Sequence, residues 1–163
     1  MKLNYKTTLS ALAVTAVLAG TAIAGSYDMA HKQLDQSKLN TIDGLTGPNY
    51  YKGVSVEEGA MIKLDQEVGL KDHYLRSRFV IVEPDGVVLL HKHQNRPAFT
   101  YIATGEIVEF RNDDVPTGVR KAGEITVDAD GLAQWWKNDG DETVRLYVVD
   151  VVHADEVKPG GKD

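Results

Sequence analysis

The sequence predicts an all-β fold, a single-domain barrel or sandwich of short strands. From Tyr50 onward, short runs of β-branched and aromatic residues recur, separated by clusters of Gly, Pro, Asn and Asp. Turn signals at a spacing of about 8–12 residues are typical of all-β sandwiches and barrels. The signals here are Gly47-Pro48 and the turn-forming residues at 83–86, 94–97, 112–114, 128–131 and 138–141.

The first 24 residues have the organisation of a secretory signal peptide. Lys2 and Lys6 supply positive charge, residues 9–20 form an apolar stretch, and Ala22-Ile23-Ala24 is an A-x-A cleavage site. An uncleaved membrane anchor is the alternative, but the apolar stretch is shorter than the roughly 20 residues that a spanning helix needs. We therefore expect a cleaved signal peptide and a periplasmic or secreted protein without a stable membrane anchor.

Composition and charge narrow the classes of partner. The chain has no cysteine, which excludes disulfides, thiol catalysis and thiolate metal sites. Its formal net charge is −6 and no Lys/Arg cluster is present, which argues against nucleic acids and anionic membrane surfaces. A small molecule or a metal cation is the expected partner.

The segment that follows the signal is one domain in size. Removal of residues 1–24 leaves 139 residues, enough to bury a core without disulfides. We expect residues 25–49 to form a polar extension with one or two helical turns in 27–39. Residues 50–153 should form the β-barrel, and residues 154–163 a flexible tail.

The most specific chemical signal is His91-Lys92-His93. Two histidines at i and i+2 on a strand point to the same side, and strand parity predicts that Val87 and Leu89 share this side with them. In a partly apolar interior, neutral imidazoles are favourable as metal ligands and costly as charged groups. The alternative is a pair of satisfied polar residues at a barrel mouth.

The stretch from about Arg78 to Val152 resembles the cupin superfamily, in particular small single-domain bacterial cupins of the cupin-2 type. The first cupin motif is approximated by Gly86, His91-Lys92-His93 and Gly105, and the second by Gly123, Gly131, Gln134 and Asn138. The resemblance implies a jelly-roll β-barrel with a pocket inside it.

The resemblance also implies a metal site, but two of its usual ligands are absent. Cupins typically bind a metal through three histidines and one glutamate. Here the glutamate position falls on Ala98 and the third histidine on Gln134, whose amide oxygen is a weaker, neutral ligand. We therefore expect a divalent metal ion, of iron, manganese, nickel, copper or zinc, on His91, His93 and Gln134. A decayed site that binds nothing is the alternative.

Four further residues are expected to line the pocket: Phe99, Thr100, Trp136 and Arg78. Trp135 and Trp136 alternate faces on a strand, so one should face the interior, where core packing is the simpler role. Arg76 and Arg78 share a strand face, and a guanidinium at the barrel mouth would suit a carboxylate ligand. A solvated outer face is the alternative for both arginines.

The expected function is metal-assisted chemistry on a small oxygen-bearing molecule, of the dioxygenase, isomerase or decarboxylase kind that the resemblance implies. The alternative is a non-catalytic cupin that binds a small ligand beside a vestigial metal site. A third possibility is an interaction module, since cupins commonly pair through their sheets, and a homodimer would fit it. The sequence contains no nucleophile elbow, phosphate-binding loop or dinucleotide-binding fingerprint.

Overall fold

A computed structural model describes residues 34–113, 115 and 117–157. Ten strands dominate the described residues, so the all-β expectation is confirmed. The strands are β1 (Leu39–Ile42), β2 (Leu45–Pro48), β3 (Lys52–Lys63), β4 (His73–Lys92), β5 (Ala98–Thr104), β6 (Glu106–Arg111), β7 (Gly118–Lys121), β8 (Ile125–Asp128), β9 (Ala133–Lys137) and β10 (Val144–His153). One five-residue helix, α1 (Leu64–Val68), links β3 to β4 and ends at Gly69 in the left-handed conformation. The expected signal peptide lies outside the described residues.

The strands β3 to β10 form one curled antiparallel sheet with the order β7-β6-β9-β4-β10-β5-β8, and β3 pairs with β4. The long strand β4 connects the two halves of this sheet. Up to Val82 it pairs with β10, and from Val87 onward it pairs with β9. The turn signal at 83–86 was expected to end a strand, and this expectation is wrong. The chain bends there, with Asp85 at a φ of 59°, and continues as the same strand.

The hydrophobic core lies inside the curled sheet. On β10, buried and half-buried residues alternate along the whole strand, as expected for one face turned to the core. Each fully buried aliphatic side chain contributes about 1.5–3 kcal/mol relative to an exposed one. The core cluster consists of Val82, Val88, Ala98, Ile102, Ile107, Trp136, Val144, Leu146 and Val148.

The N-terminal hairpin of β1 and β2 packs against β9. Of the segment 27–39, where one or two helical turns are expected, the described residues contain a three-residue 3-10 helix at Gln36–Lys38, and residues 27–33 lie outside the described part of the chain. The ring of Trp135 stacks on Phe110 with 3.7 Å between centroids, and Gly47 of the hairpin lies directly against the indole. Trp136 belongs to the inner core cluster. The two tryptophans therefore face opposite sides of β9, as expected.

The contact between Gly47 and Trp135 leaves no room for a side chain. A Cβ atom at position 47 would overlap the indole ring, which is fully buried and cannot move aside. We expect Gly47→Ala to destabilise the domain by about 1–3 kcal/mol through overpacking. Gly118→Ala is the control, because its Cβ would meet nothing within 4 Å. Urea denaturation of the two variants measures the difference, and equal stabilities would contradict the packing described.

The chain continues beyond the last strand with a short 3-10 helix. Residues Ala154–Glu156 form a 3-10 helix, and Glu156 lies 3.4 Å from Arg96 Nη1. The structure therefore describes residues 154–157 of the expected tail, and the remainder lies outside the described residues. In the part of the chain that the structure describes, no helix has the length and apolar character needed to cross a membrane.

Candidate functional site

The structure brings His91, His93 and Gln134 together at one end of the sheet interior. His91 pairs with Gln134 across β4 and β9, and its Nε2 lies 3.2 Å from Nε2 of His93. Gln134 Nε2 lies 3.1 Å from the same His93 nitrogen. All three candidate metal ligands thus converge on one small volume, His91 from β4, His93 from the position directly after it, and Gln134 from β9.

The residues of β4 that share the inner face with the histidines differ from the expected ones. Val88 pairs with Trp136 and His91 pairs with Gln134, so two residues three apart on β4 face the same side. A register shift between Val88 and His91 changes the parity of the strand. The expectation that Val87 shares the histidine face is therefore wrong, because Val88 lies on that face and belongs to the core cluster; Leu89 lies within the shifted segment.

The hydrogen bonds of the two rings assign their tautomers. His91 Nδ1 lies 2.9 Å from the carbonyl oxygen of Leu89, and His93 Nδ1 lies 3.0 Å from that of Arg96. A carbonyl oxygen only accepts, so each Nδ1 carries a hydrogen and each Nε2 directs its lone pair into the site. Burial lowers the pKa of His91 to about 4 and also lowers the pKa of His93, so both rings are neutral at neutral pH.

These residues fit a divalent cation. Two facing lone pairs at 3.2 Å repel each other unless a cation lies between them. Two nitrogen ligands at about 2.1 Å from one ion are about 3.0–3.4 Å apart at angles of roughly 90–109°. The buried Gln134 Oε1 has no hydrogen-bond partner among the described residues, and a half turn of the amide exchanges it with Nε2. The carbonyl contacts at both Nδ1 atoms are the usual outer support of ligating histidines.

A buried carboxylate that the sequence did not single out lies beside the histidines. Ala98, at the usual glutamate position, pairs with Asp128 of β8, and Asp128 Oδ2 lies 3.9 Å from His93 Nε2. Thr100 Oγ1 donates a 2.9 Å hydrogen bond to the same oxygen. Within the described residues, no three His, Cys, Asp or Glu side chains converge as a metal group. Asp128 therefore supplies negative charge near the imidazoles without itself completing a ligand set.

A second polar group, centred on Asp150 of β10, lies next along the sheet. Arg76 donates two hydrogen bonds to its carboxylate, at 3.0 Å from Nε and 2.7 Å from Nη2. Arg78 and Arg96 lie farther from Asp150 Oδ2, at 3.5 Å and 3.8 Å. Burial raises the pKa of Asp150, but the Arg76 hydrogen bonds and the three positive charges more than offset it and hold the pKa below its ordinary value. A solvated face is therefore excluded for Arg76, which is buried.

The structure places the four expected pocket residues in different environments. Phe99 is 58% exposed on the outer face of β5, so the expectation that it lines the pocket is wrong. Thr100 faces inward and bonds Asp128. Trp136 packs within the apolar core cluster. Arg78 is half-buried, and its charge acts on His91.

Comparisons with known proteins agree with this architecture. A family model described as Cupin matches residues 55–159, and no curated protein matches the sequence significantly. The Schizosaccharomyces pombe Cnp3 cupin domain is similar, with a TM-score of 0.51 and 16% identity over 66% of this chain and 66% of that chain. KdgF from Halomonas sp. has a TM-score of 0.50 and 11% identity over 67% of this chain and 92% of that chain.

A protein described as a predicted oxalate decarboxylase from Thermotoga maritima has a TM-score of 0.49 and 19% identity, over 73% of this chain and 97% of that chain. At such identities, likeness to solved structures concerns the fold alone. The family model, by contrast, covers more than half of the sequence. The described strands form the curled antiparallel sheet of a jelly-roll barrel. The chain belongs to the cupin family.

Proposed function

We propose that this cupin binds one divalent metal ion through His91, His93 and Gln134 and uses it for chemistry on a small oxygen-bearing molecule. The observation that carries the proposal is the pair of Nε2 lone pairs 3.2 Å apart, with both Nδ1 atoms tied to backbone carbonyls. This arrangement fixes the rings in the ligating tautomer before any ion arrives. Secretion and a homodimer stay predictions.

The residues of the site define what kind of molecule would bind there. Three neutral ligands leave the charge of a divalent cation uncompensated, so an anionic oxygen is the natural additional ligand. When bound, such an ion polarises a ligand oxygen as a Lewis acid or supports oxygen chemistry. Asp128, held by Thr100 and shielded from solvent, provides a fixed carboxylate 3.9 Å from Nε2 of His93.

A second candidate function is non-catalytic binding of a small ligand. It is favoured by Ala98, because the carboxylate ligand usual in cupins is replaced by a methyl group that packs within the core. Without a carboxylate ligand, the site should bind its metal more weakly than the usual cupin site does. In this case the imidazoles and Gln134 would contact the ligand directly.

Metal content tests the proposal. We expect untagged protein to contain close to one equivalent of a transition metal by mass spectrometry, and His91→Ala to contain almost none. The matched control is His73→Ala, since His73 lies at the far end of β4, where its Nδ1 contacts Lys71 O. Metal that is absent from the unmodified protein, or equally bound by both variants, would contradict the metal proposal and favour the second candidate.

A further inference from the structure

We propose that Arg78 and Arg96 form a subsite for a carboxylate group of a small ligand, beside His91 and His93. The inference rests on the proposed function for the location of the ligand, and it adds the class of molecule: an organic acid. It arises from a charge imbalance around Asp150 that the fold alone does not explain.

The imbalance follows from the distances. Both carboxylate oxygens of Asp150 are occupied by the two hydrogen bonds from Arg76. Arg78 and Arg96 approach only Oδ2, at 3.5 Å and 3.8 Å, which is at or beyond the limit of a hydrogen bond. Three guanidinium groups therefore share one fully buried carboxylate, and two of them gain only long-range attraction from it.

The same two arginines carry unsatisfied donors. Arg78 Nε and Arg96 Nε are both buried, and neither has a hydrogen-bond partner in the region that the structure describes. A buried donor without a partner is costly, and a guanidinium is well matched to the two oxygens of a carboxylate. A carboxylate, which only accepts, is the group that would satisfy both donors together.

The positive charge lies on the accessible side of the cluster. The side chains of Arg78 and Arg96 are 18% and 22% exposed, whereas that of Asp150 is 0% exposed. An anion approaching from solvent therefore meets the guanidiniums before the buried carboxylate. At the rim, Glu156 lies 3.4 Å from Arg96, and Glu58 occupies the position of β3 opposite Arg78. Both carboxylates are exposed, and ion pairs with exposed groups are weak.

The subsite adjoins the histidine pair. The carbonyl of Arg96 accepts the hydrogen bond from His93 Nδ1, so the backbone of this arginine is fixed against the site. Arg78 lies in the same inward row as Thr100, because both pair with Val148 of β10. The charges of Arg96 and Arg78 also act on His91. A ligand with its carboxylate on the arginines would thus place a neighbouring oxygen near the imidazoles.

Calorimetric titration with malonate tests the subsite, with malonamide as the neutral analogue of the same shape. Chelator-treated protein is used first, so that binding does not depend on a metal. We expect malonate to bind and malonamide not to bind. Loss of one charge-assisted contact costs about ten-fold or more in affinity, so Arg78→Gln and Arg96→Gln should each weaken malonate binding by that factor. Arg145→Gln is the control, since Arg145 pairs with the exposed Glu57 away from the cluster.

The outcomes separate this subsite from the metal proposal. Equal binding of malonate and malonamide, or unchanged malonate binding in both variants, would overturn the subsite even if metal is bound. Malonate binding to the chelator-treated protein that depends on the arginines would support the subsite. The metal proposal is decided separately, by the metal content of the untreated protein and of His91→Ala. If Arg78→Gln does not fold, Arg78→Lys replaces it, because lysine keeps the charge but loses the planar fork, and weaker malonate binding is again expected.

Discussion

Asp150→Ala should destabilise the domain by about 3–5 kcal/mol, because it leaves the buried Arg76 without its partner. The Asp150 side chain is fully buried and receives both hydrogen bonds from that arginine. Glu57→Ala is the matched control: Glu57 forms an ion pair with Arg145 at the same 2.7 Å, but both side chains are substantially exposed. An exposed pair contributes about 0–1 kcal/mol, so chemical denaturation should separate the two variants clearly. Similar losses in both would contradict the buried charge cluster.

The pH dependence of this loss has a defined sign. The pKa of Asp150 is lower in the folded protein than in the unfolded chain, so its contribution to stability is present above the unfolded pKa of about 3.9. It is lost as the pH falls through the folded pKa. The difference in stability between Asp150→Ala and the unmodified protein should therefore be constant near neutral pH and shrink in strong acid.

Local patterns in the sequence were sufficient for the fold class. Alternating burial on β10 follows directly from its alternating apolar residues, and most turn signals fall between strands. The failure at 83–86 has a physical reason. Pro84 and Gly86 do permit a change of direction, but β4 uses it to exchange one pairing partner for another. Which strand lies alongside is decided by residues more than 40 positions away along the chain, and no local pattern contains that information.

The site shows the same division between local and long-range information. His91 and His93 were predictable because their spacing on a strand fixes their common side. The register shift beside them could not be read from the sequence, because the bulge is defined only by pairing with β9. Asp128 and Asp150 lay outside the expected site for a related reason. Both pair with Ala98, from strands on its two sides, and only the assembled sheet brings them to it.

Substitution of Gln134 is expected to have the second large effect, a change in metal affinity. Replacing it by histidine supplies an imidazole at a position already aimed at His93, and histidine is a stronger ligand for transition metals than an amide. We expect Gln134→His to raise metal affinity by at least about ten-fold, the scale on which even supporting residues of metal sites act. Gln134→Leu, similar in size but without a donor atom, should lower the affinity by a comparable factor.

Competition titration against a chelator measures all three proteins on one scale. A metal affinity that falls from histidine to glutamine to leucine at position 134 would identify this position as a metal ligand, because only direct coordination ranks side chains by donor strength. Equal affinities for glutamine and leucine would show that the amide serves only as a hydrogen-bond donor to His93. Its unpartnered Oε1 would then be a cost of the fold, and the two imidazoles would have to bind the ion with ligand oxygens alone.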